Sequence, residues 1–423
     1  MVALFKALSS IEPKLILVVG DLIVDRYIFG RSKRISPEAP VPIVLVDHEE
    51  MRAGGAGNVA LNLVSMGTRP RVVGRVGDDA AGRQLIASLE QEGVDASGIF
   101  EEKGFSTPAK TRVIASAQQL VRVDYESCSP LTAACERMIL AALPSLFEGV
   151  QLVAISDYAK GTLSDALLRA VIDAARSRSI PCITDPKGTN FRKYAGSTIV
   201  KPNVSETISA APQGTSSLEE AAAAILRDLD VGCLMVTRSE EGISLFYPDG
   251  RHDQFPVPVK KEVRDVTGAG DTVLAMLSAA YASGLSMEQS IALSNVAASC
   301  AVDRVGCARV SLQDIASQLI AQNPSGKVCS SESFFGLLAA MPRERLLMVR
   351  IPRTKMLSSQ QLLQLSDISS VHPGRRVIAC FEEEVIDPRL LKLVASLEQT
   401  HLVVHGLDTK AAAITGDHLV VDL

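Results

Sequence analysis

The chain has no surplus of positive charge: 43 Lys and Arg stand against 48 Asp and Glu, a formal net charge of -5. That balance argues against nucleic acid or an anionic membrane surface as the main partner, so any anion site has to be local. No apolar run approaches the roughly 20 residues that a membrane helix needs. Residues 1–10 also lack the h-region and cleavage pattern of a secretory signal, and the expectation is a cytoplasmic protein. The eight cysteines include no C-x-x-C pair and several lie in apolar segments, so they read as reduced thiols. Cys300 and Cys307 lack the second Cys/His pair that a structural zinc site requires. There is no fixed-period repeat and no low-complexity tract. What remains is an ordinary globular composition, 47% hydrophobic and 22% charged, over 423 residues. That length suffices for a large core and more than one domain.

The most informative stretch is 265–271, Asp-Val-Thr-Gly-Ala-Gly-Asp. Small residues let the backbone approach an anion closely, and the apolar run that follows reads as a buried helix whose first N–H groups would face a phosphoryl group. Asp271 falls in its first turn, where a carboxylate could take the proton of an attacking hydroxyl. The alternative is an Asp-capped helix after a glycine turn.

Apolar runs at 15–19, 71–76, 152–156, 181–184, 198–200 and 233–237 alternate with helical patterns at 57–66, 81–92, 131–146, 165–178 and 217–229. This alternation predicts a doubly wound α/β sheet with ligands at the carboxyl ends of its strands. A long helical stretch over 269–303 and a last helix at 312–322 would complete a domain of residues 1–322. Segments 27–47 and 107–124 break the pattern and read as an antiparallel β lid that could exclude water from the site. Residues 323–333 read as a linker, and 334–423 as a second, small α/β domain.

Several further groups fall at strand ends. Gly54 and Gly55 precede a helix that carries Asn58, and Asp25 follows the first strand; together they could meet sugar hydroxyls, or serve as plain turn and cap residues. Lys187, in Asp-Pro-Lys-Gly, can meet phosphate as a point charge. Asn203, Val204, Ser205 and Glu206 open another helix, where Asn203 and Glu206 share one face. They could hold Mg²⁺ through water, or form an N-cap with a capping-box glutamate. Thr237 and Arg238 end a strand, in either a nucleotide-edge loop or a hairpin turn.

Taken in this order, the motifs resemble the ribokinase-like (PfkB) sugar kinase family over residues 11–322. The Gly-Gly segment resembles its substrate loop, and 265–271 resembles its anion hole and base. Within the family, Arg-Ile-Ser-Pro-Glu-Ala-Pro-Val-Pro at 34–42, Ser-Asp-Tyr-Ala-Lys-Gly at 156–161, Asp-Pro-Lys-Gly-Thr at 185–189 and Val-Thr-Arg-Ser-Glu at 236–240 are similar to the branch acting on D-glycero-β-D-manno-heptose 7-phosphate. The resemblance implies a ribokinase-like, mostly parallel sheet with a small β lid, and phosphorylation of the anomeric hydroxyl by ATP with Mg²⁺, a step toward ADP-heptose and the lipopolysaccharide core. It implies Asp271 as base, and Gly268, Ala269 and Gly270 as the anion hole. It places residues 203–206 at ATP. Arg34, Arg112 and Lys160 become candidates for the substrate's own phosphate, each equally able to be a solvated surface charge. The lid could pair two subunits into a homodimer.

In the bifunctional relatives of that branch, a nucleotidyltransferase domain with a His-x-Gly-His loop follows the kinase. No such loop occurs here. His372-Pro373-Gly374-Arg375 lacks the second histidine, His401 and His405 flank an apparent strand, and 380–384 only faintly echoes the later part of that domain. Residues 334–423 are short for it, and the expectation is a degenerate remnant. Competing readings are a kinase for another sugar, sugar phosphate or nucleoside, and a non-catalytic scaffold that binds a sugar phosphate.

Overall fold

The computed structural model describes residues 2–115, 118–126, 128–257, 265–304, 306–321, 328–331, 334, 346–351, 357–373, 375–382, 386, 388–397, 400, 402–407 and 418–422. It falls into two compact units: Ile11–Ser311, and Met1–Ser10 together with Leu312–Leu423. Within the segment read as a linker over 323–333, Val328–Ser330 instead forms a strand, while residues 323–327, 332 and 333, like His401, lie outside the described residues.

The described strands are β1 (Leu15–Gly20), β2 (Leu22–Ile35), β3 (Pro42–Gly55), β4 (Arg69–Gly77), β5 (Asp95–Glu102), β6 (Ala109–Ala115), β7 (Gln118–Tyr125), β8 (Leu152–Ser156), β9 (Cys182–Asp185), β10 (Ile199–Val200), β11 (Cys233–Thr237), β12 (Ile243–Phe246), β13 (His252–Phe255), β14 (Val328–Ser330), β15 (Leu346–Ile351), β16 (Arg376–Phe381), β17 (Leu402–His405) and β18 (His418–Asp422). The helices are α1 (Val2–Ser9), α2 (Ala56–Ser65), α3 (Ala80–Gln91), α4 (Ala133–Leu146), α5 (Asp165–Ser177), α6 (Val204–Ala210), α7 (Leu218–Asp228), α8 (Ala269–Ala282), α9 (Met287–Val302), α10 (Leu312–Ala321), α11 (Ser359–Val371) and α12 (Pro388–Ser396).

The larger unit is built on a nine-stranded sheet in the order β13-β12-β11-β10-β9-β8-β1-β4-β5. Strands β1, β4, β5, β8, β9, β10 and β11 run parallel, and β12 and β13 add an antiparallel edge. Continuous apolar runs become the central strands because both faces are covered: every residue of Leu152–Ser156 is buried. Helix α5 shows the complementary logic. Ser164 caps it by accepting from the Leu167 N–H, and Leu167, Leu168, Val171, Ile172 and Ala175 form one buried stripe. That stripe joins Leu17, Val153, Ile155 and Val200 from the sheet in a single core cluster.

Two expectations are corrected. The long helical stretch over 269–303 is two helices: Gly284 takes the left-handed conformation at φ 80°, and Ser286 opens a capping box with Gln289, so the chain turns between α8 and α9. The lid is a four-stranded sheet, β3-β2-β6-β7, and it is not wholly antiparallel. The hairpins β2–β3 and β6–β7 are antiparallel, but they join through a parallel β2–β6 pairing. Strand β2 begins two residues after β1 ends, so the lid springs directly from the carboxyl edge of the main sheet.

The smaller unit carries a second parallel sheet in the order β14-β17-β16-β15-β18. Leu347, Val349, Val377, Ala379 and Val403 pack with Leu365 of α11 and with Leu390 and Val394 of α12. The strand order reverses at β15, the hallmark of a doubly wound sheet. His372 caps the end of α11 and His405 ends β17.

Candidate active site

The carboxyl ends of the central strands bring most of the chemistry together. Strand β1 leads into Asp21, β8 into Asp157 and Tyr158, β9 ends in Asp185, β10 leads into Lys201, and β11 ends in Thr237. Asp21 is fully buried, and its carboxylate accepts from the backbone N–H groups of Tyr158 at 2.9 Å, Lys160 at 3.0 Å and Thr162 at 3.1 Å. It therefore fixes the loop that carries Tyr158. Asp157 accepts from Tyr194 Oη and Lys193 Nζ, both at 2.7 Å, and Tyr194 Oη in turn accepts from the Lys187 N–H at 2.9 Å.

The glycine loop ends in α8. Gly268, its N-cap, sits at φ 77°, and a Cβ there would fall 2.8 Å from Asn58 Nδ2, so both conformation and space demand glycine. Asp265 pins the loop, accepting from Thr267 N–H at 2.9 Å and from Gly306 N–H at 2.8 Å. Burial pushes the Asp265 carboxyl up, but these bonds from Thr267 and Gly306 outweigh it and hold the carboxyl below its ordinary value.

Asp271 lies in the first turn of α8 and is only 2% exposed. Its two oxygens accept from Asn58 Nδ2 and Tyr158 Oη, each at 2.8 Å. Burial pushes its carboxyl up to about 7, against the pull of those two donors. Tyr158 is pushed well above its ordinary value by burial and by the neighbouring Asp271, so it remains a donor. Beside them, Lys201 Nζ is 3.0 Å from Asp185 Oδ2 and nearly buried. Burial raises the Asp185 carboxyl to about 6, with Lys201 drawing it back. The site thus holds two carboxyls that titrate near neutrality, a feature associated with acid–base chemistry.

Two clefts flank the loop. One of about 170 Å³ is lined by Tyr158, Asp185, Lys187, Lys201, Asn203, Glu206, Thr237 and Gly270, among others. Another of about 470 Å³ also borders Asn203, Thr237 and Gly270, and adds apolar walls from Ile243, Val257, Val266, Val273, Ala298 and Val302. A polar cleft at a helix N-terminus beside a larger apolar one suits a nucleotide, with phosphates in the first and base in the second. Asn203 caps α6, which begins with Val204 and Ser205, and Glu206 completes a capping box. Glu206 also accepts from Lys187 Nζ at 2.7 Å. The cap reading of Asn203 and Glu206 is therefore realised at the wall of the cleft, where it presents their side chains. Among the described residues no group of three or more His, Cys, Asp or Glu side chains is arranged to hold a metal.

On the other side of Asp271, Asp25 is buried, pairs with Arg112 Nη1 and accepts from the Cys307 thiol at 3.4 Å. A Cβ on Gly54 would fall 2.3 Å from Asp25 Oδ2, and Gly55 is the N-cap of α2, from which Asn58 reaches Asp271. Three sequence candidates point elsewhere. Arg34 is exposed on β2 near the tip of the lid, Lys160 Nζ pairs with Glu126 at 2.7 Å, and Arg238 bonds Ser244 and Glu241. The sequence reading assigns no role to Tyr158, Lys201, Asp185, Asp21 or Cys307, although Asp185 and Lys201 open segments that it places at ligand-binding strand ends and Tyr158 lies in the 156–161 motif. The signal for the first four was their place immediately at the end of an apolar strand, whereas Cys307 had none.

The sheet, the lid and the buried carboxylate at a helix N-terminus define a phosphotransferase of ribokinase-like fold. The chain belongs to the pfkB family of carbohydrate kinases, whose model matches residues 13–314. More narrowly, it is 44% identical over 329 residues to the bifunctional protein HldE of Geobacter metallireducens, covering 77% of this chain and 67% of that protein. It is 42% identical over 343 residues to the protein of the same name from Trichlorobacter lovleyi, covering 80% of this chain and 69% of that one. Among solved structures, phosphofructokinase-2 from Escherichia coli in complex with potassium superposes with a TM-score of 0.59 at 19% identity, covering 71% of this chain and 96% of that one. Arabidopsis thaliana ribokinase complexed with ribose and ATP gives 0.56 at 20%, covering 72% and 98%. At these identities the likeness shows the fold.

Proposed function

We propose that this chain transfers the γ-phosphoryl group of ATP to the anomeric hydroxyl of D-glycero-β-D-manno-heptose 7-phosphate, giving the 1,7-bisphosphate used toward ADP-heptose and the lipopolysaccharide core. The observation that carries the reading is Asp271, buried between Asn58 and Tyr158 at the head of α8. Membership of the pfkB family and the HldE relatives support the choice of acceptor.

In this reading Asp271 takes the proton of the attacking hydroxyl, and Asn58 and Tyr158 aim its two oxygens. Asp25, with its carboxylate held by Arg112, orients sugar hydroxyls against Gly54, Gly55 and Asn58. The N–H groups of Gly268, Ala269 and Gly270, with Lys187, balance charge on the transferred group. Bound ATP with Mg²⁺ supplies the phosphoryl group and neutralises part of its charge. Glu206 would meet the metal through water, and Asn203 and Thr237 would border the nucleotide. The lid closes the sugar side, and its exposed Ile35, Val41, Leu45, Val46 and Tyr125 support pairing with the lid of a second copy. In the smaller unit, a doubly wound sheet without a His-x-Gly-His loop supports a degenerate nucleotidyltransferase.

Asp271→Asn tests the assignment of the base. Turnover should fall by about a hundredfold to ten-thousandfold, while ATP and the sugar phosphate still bind by calorimetry. Near-normal turnover would remove Asp271 from the role.

A further inference from the structure

We propose that Arg52 and Arg309 form the subsite for the acceptor's own phosphate, an inference that rests on the sugar-phosphate substrate proposed above. A cavity of about 230 Å³ is lined by Arg52, Asn58, Ser88, Cys307 and Arg309 together with apolar neighbours, and no carboxylate is among its lining side chains. Asn58 also bonds Asp271, and Cys307 also bonds Asp25. The cavity therefore begins one side chain away from both carboxylates assigned to the sugar, and it shares no lining residue with the two clefts assigned to the nucleotide. A sugar phosphate phosphorylated at its anomeric end must place its distal phosphate in such a position.

The two guanidinium groups are held by built structure. Arg52 lies in β3 with its Cα opposite that of Asp25, and its guanidinium stands 4.8 Å from the centroid of the Tyr27 ring. Arg309 belongs to the segment 306–310, which is tied down along its length. The Gly306 N–H donates to Asp265, the Cys307 thiol to Asp25, and the Val310 N–H to Asn62 Oδ1 at 3.0 Å. The same Asp265 that pins the glycine loop therefore also anchors this segment.

Both arginines have carboxylate partners, and these differ from those of the other cations nearby. Arg52 meets Glu50 and Arg309 meets Glu92, each at 2.7 Å, through glutamates 40% and 42% exposed. Exposed pairs of this kind are weak, and a phosphate dianion with three acceptor oxygens can replace them. Arg112, by contrast, neutralises the buried Asp25. Drawing it away toward a phosphate would strand a buried charge at heavy cost. Arg112 is thus better suited to hold Asp25 for the sugar.

The test uses the full chain with Arg52→Ala and Arg309→Ala, and with Arg52→Lys and Arg309→Lys as milder variants, each checked for folding by thermal melts. Two readouts are taken: steady-state kinetics on heptose 7-phosphate, and inhibition by inorganic phosphate competing with the sugar phosphate. Each alanine variant should raise KM for the sugar phosphate by about tenfold or more and weaken phosphate inhibition by a similar factor, with KM for ATP changed by no more than about twofold. The lysine variants should recover part of both losses. Wild-type KM and wild-type phosphate inhibition in the alanine variants would overturn the subsite while leaving the substrate reading intact. A wild-type enzyme that phosphorylates unphosphorylated heptose as efficiently as the 7-phosphate would overturn both.

Discussion

In the role proposed for it, Asp271 carries two demands that pull against each other. A base must be ionised, yet burial favours the protonated carboxyl, and the compromise is a carboxyl near 7 supported by Asn58 and Tyr158. Only the carboxylate accepts a proton, so kcat/KM should fall as pH drops through about 7. Tyr158→Phe removes a donor that stabilises the charged form; the acid limb of the pH–rate profile should then move to higher pH. An unmoved limb would mean that another group sets it. The place of Asp271 at the head of α8 was legible in the sequence because its glycine loop is contiguous. Tyr158 was not, since its partner lies 113 positions away and only the fold joins them. The same holds for Lys201 with Asp185, which meet because β9 and β10 are neighbours in the sheet.

At the scale of elements, the periodicities that mark buried strands and half-buried helices held well. Apolar runs at 152–156 and 233–237 match β8 and β11 residue for residue. Helix boundaries followed their caps, as at Ser164 and Ser217. What stayed hidden was the break within the helical stretch over 269–303, because Ala-rich apolar sequence masks a single Gly284 stop followed by a Ser286 start. The lid's parallel seam was also hidden, since strand direction across a sheet is set by tertiary connection and leaves no local pattern. The most consequential element is the 157–162 loop, which Asp21 holds through three amides. Asp21→Ala should cost about 2–5 kcal/mol of stability in chemical denaturation, because buried N–H groups lose a charged acceptor. It should also lower kcat by letting Tyr158 drift from Asp271. A variant of wild-type stability and wild-type kcat would show that the loop holds itself.

At the scale of the whole molecule, the chain divides into a unit that carries the candidate kinase site and a smaller doubly wound unit of separate core. The exposed apolar side chains of the lid, Leu45 among them, predict a dimer: Leu45→Glu should shift the species seen by analytical ultracentrifugation toward monomer, and a wild type that is monomeric at micromolar concentration would refute the pairing. The fold class, the lid and the order of site motifs were all present in the linear sequence. The cation opposite each carboxylate was not, because long-range ion pairs such as Arg112 with Asp25 leave no spacing to read. The central claim is the reaction itself, and identifying the product tests it most directly. Incubated with ATP, Mg²⁺ and D-glycero-β-D-manno-heptose 7-phosphate, with a nucleoside triphosphate supplied as possible second substrate, the protein should yield the 1,7-bisphosphate by phosphorus NMR and no sugar nucleotide. Unchanged heptose 7-phosphate, or a new phosphate at any position other than the anomeric one, would contradict the account.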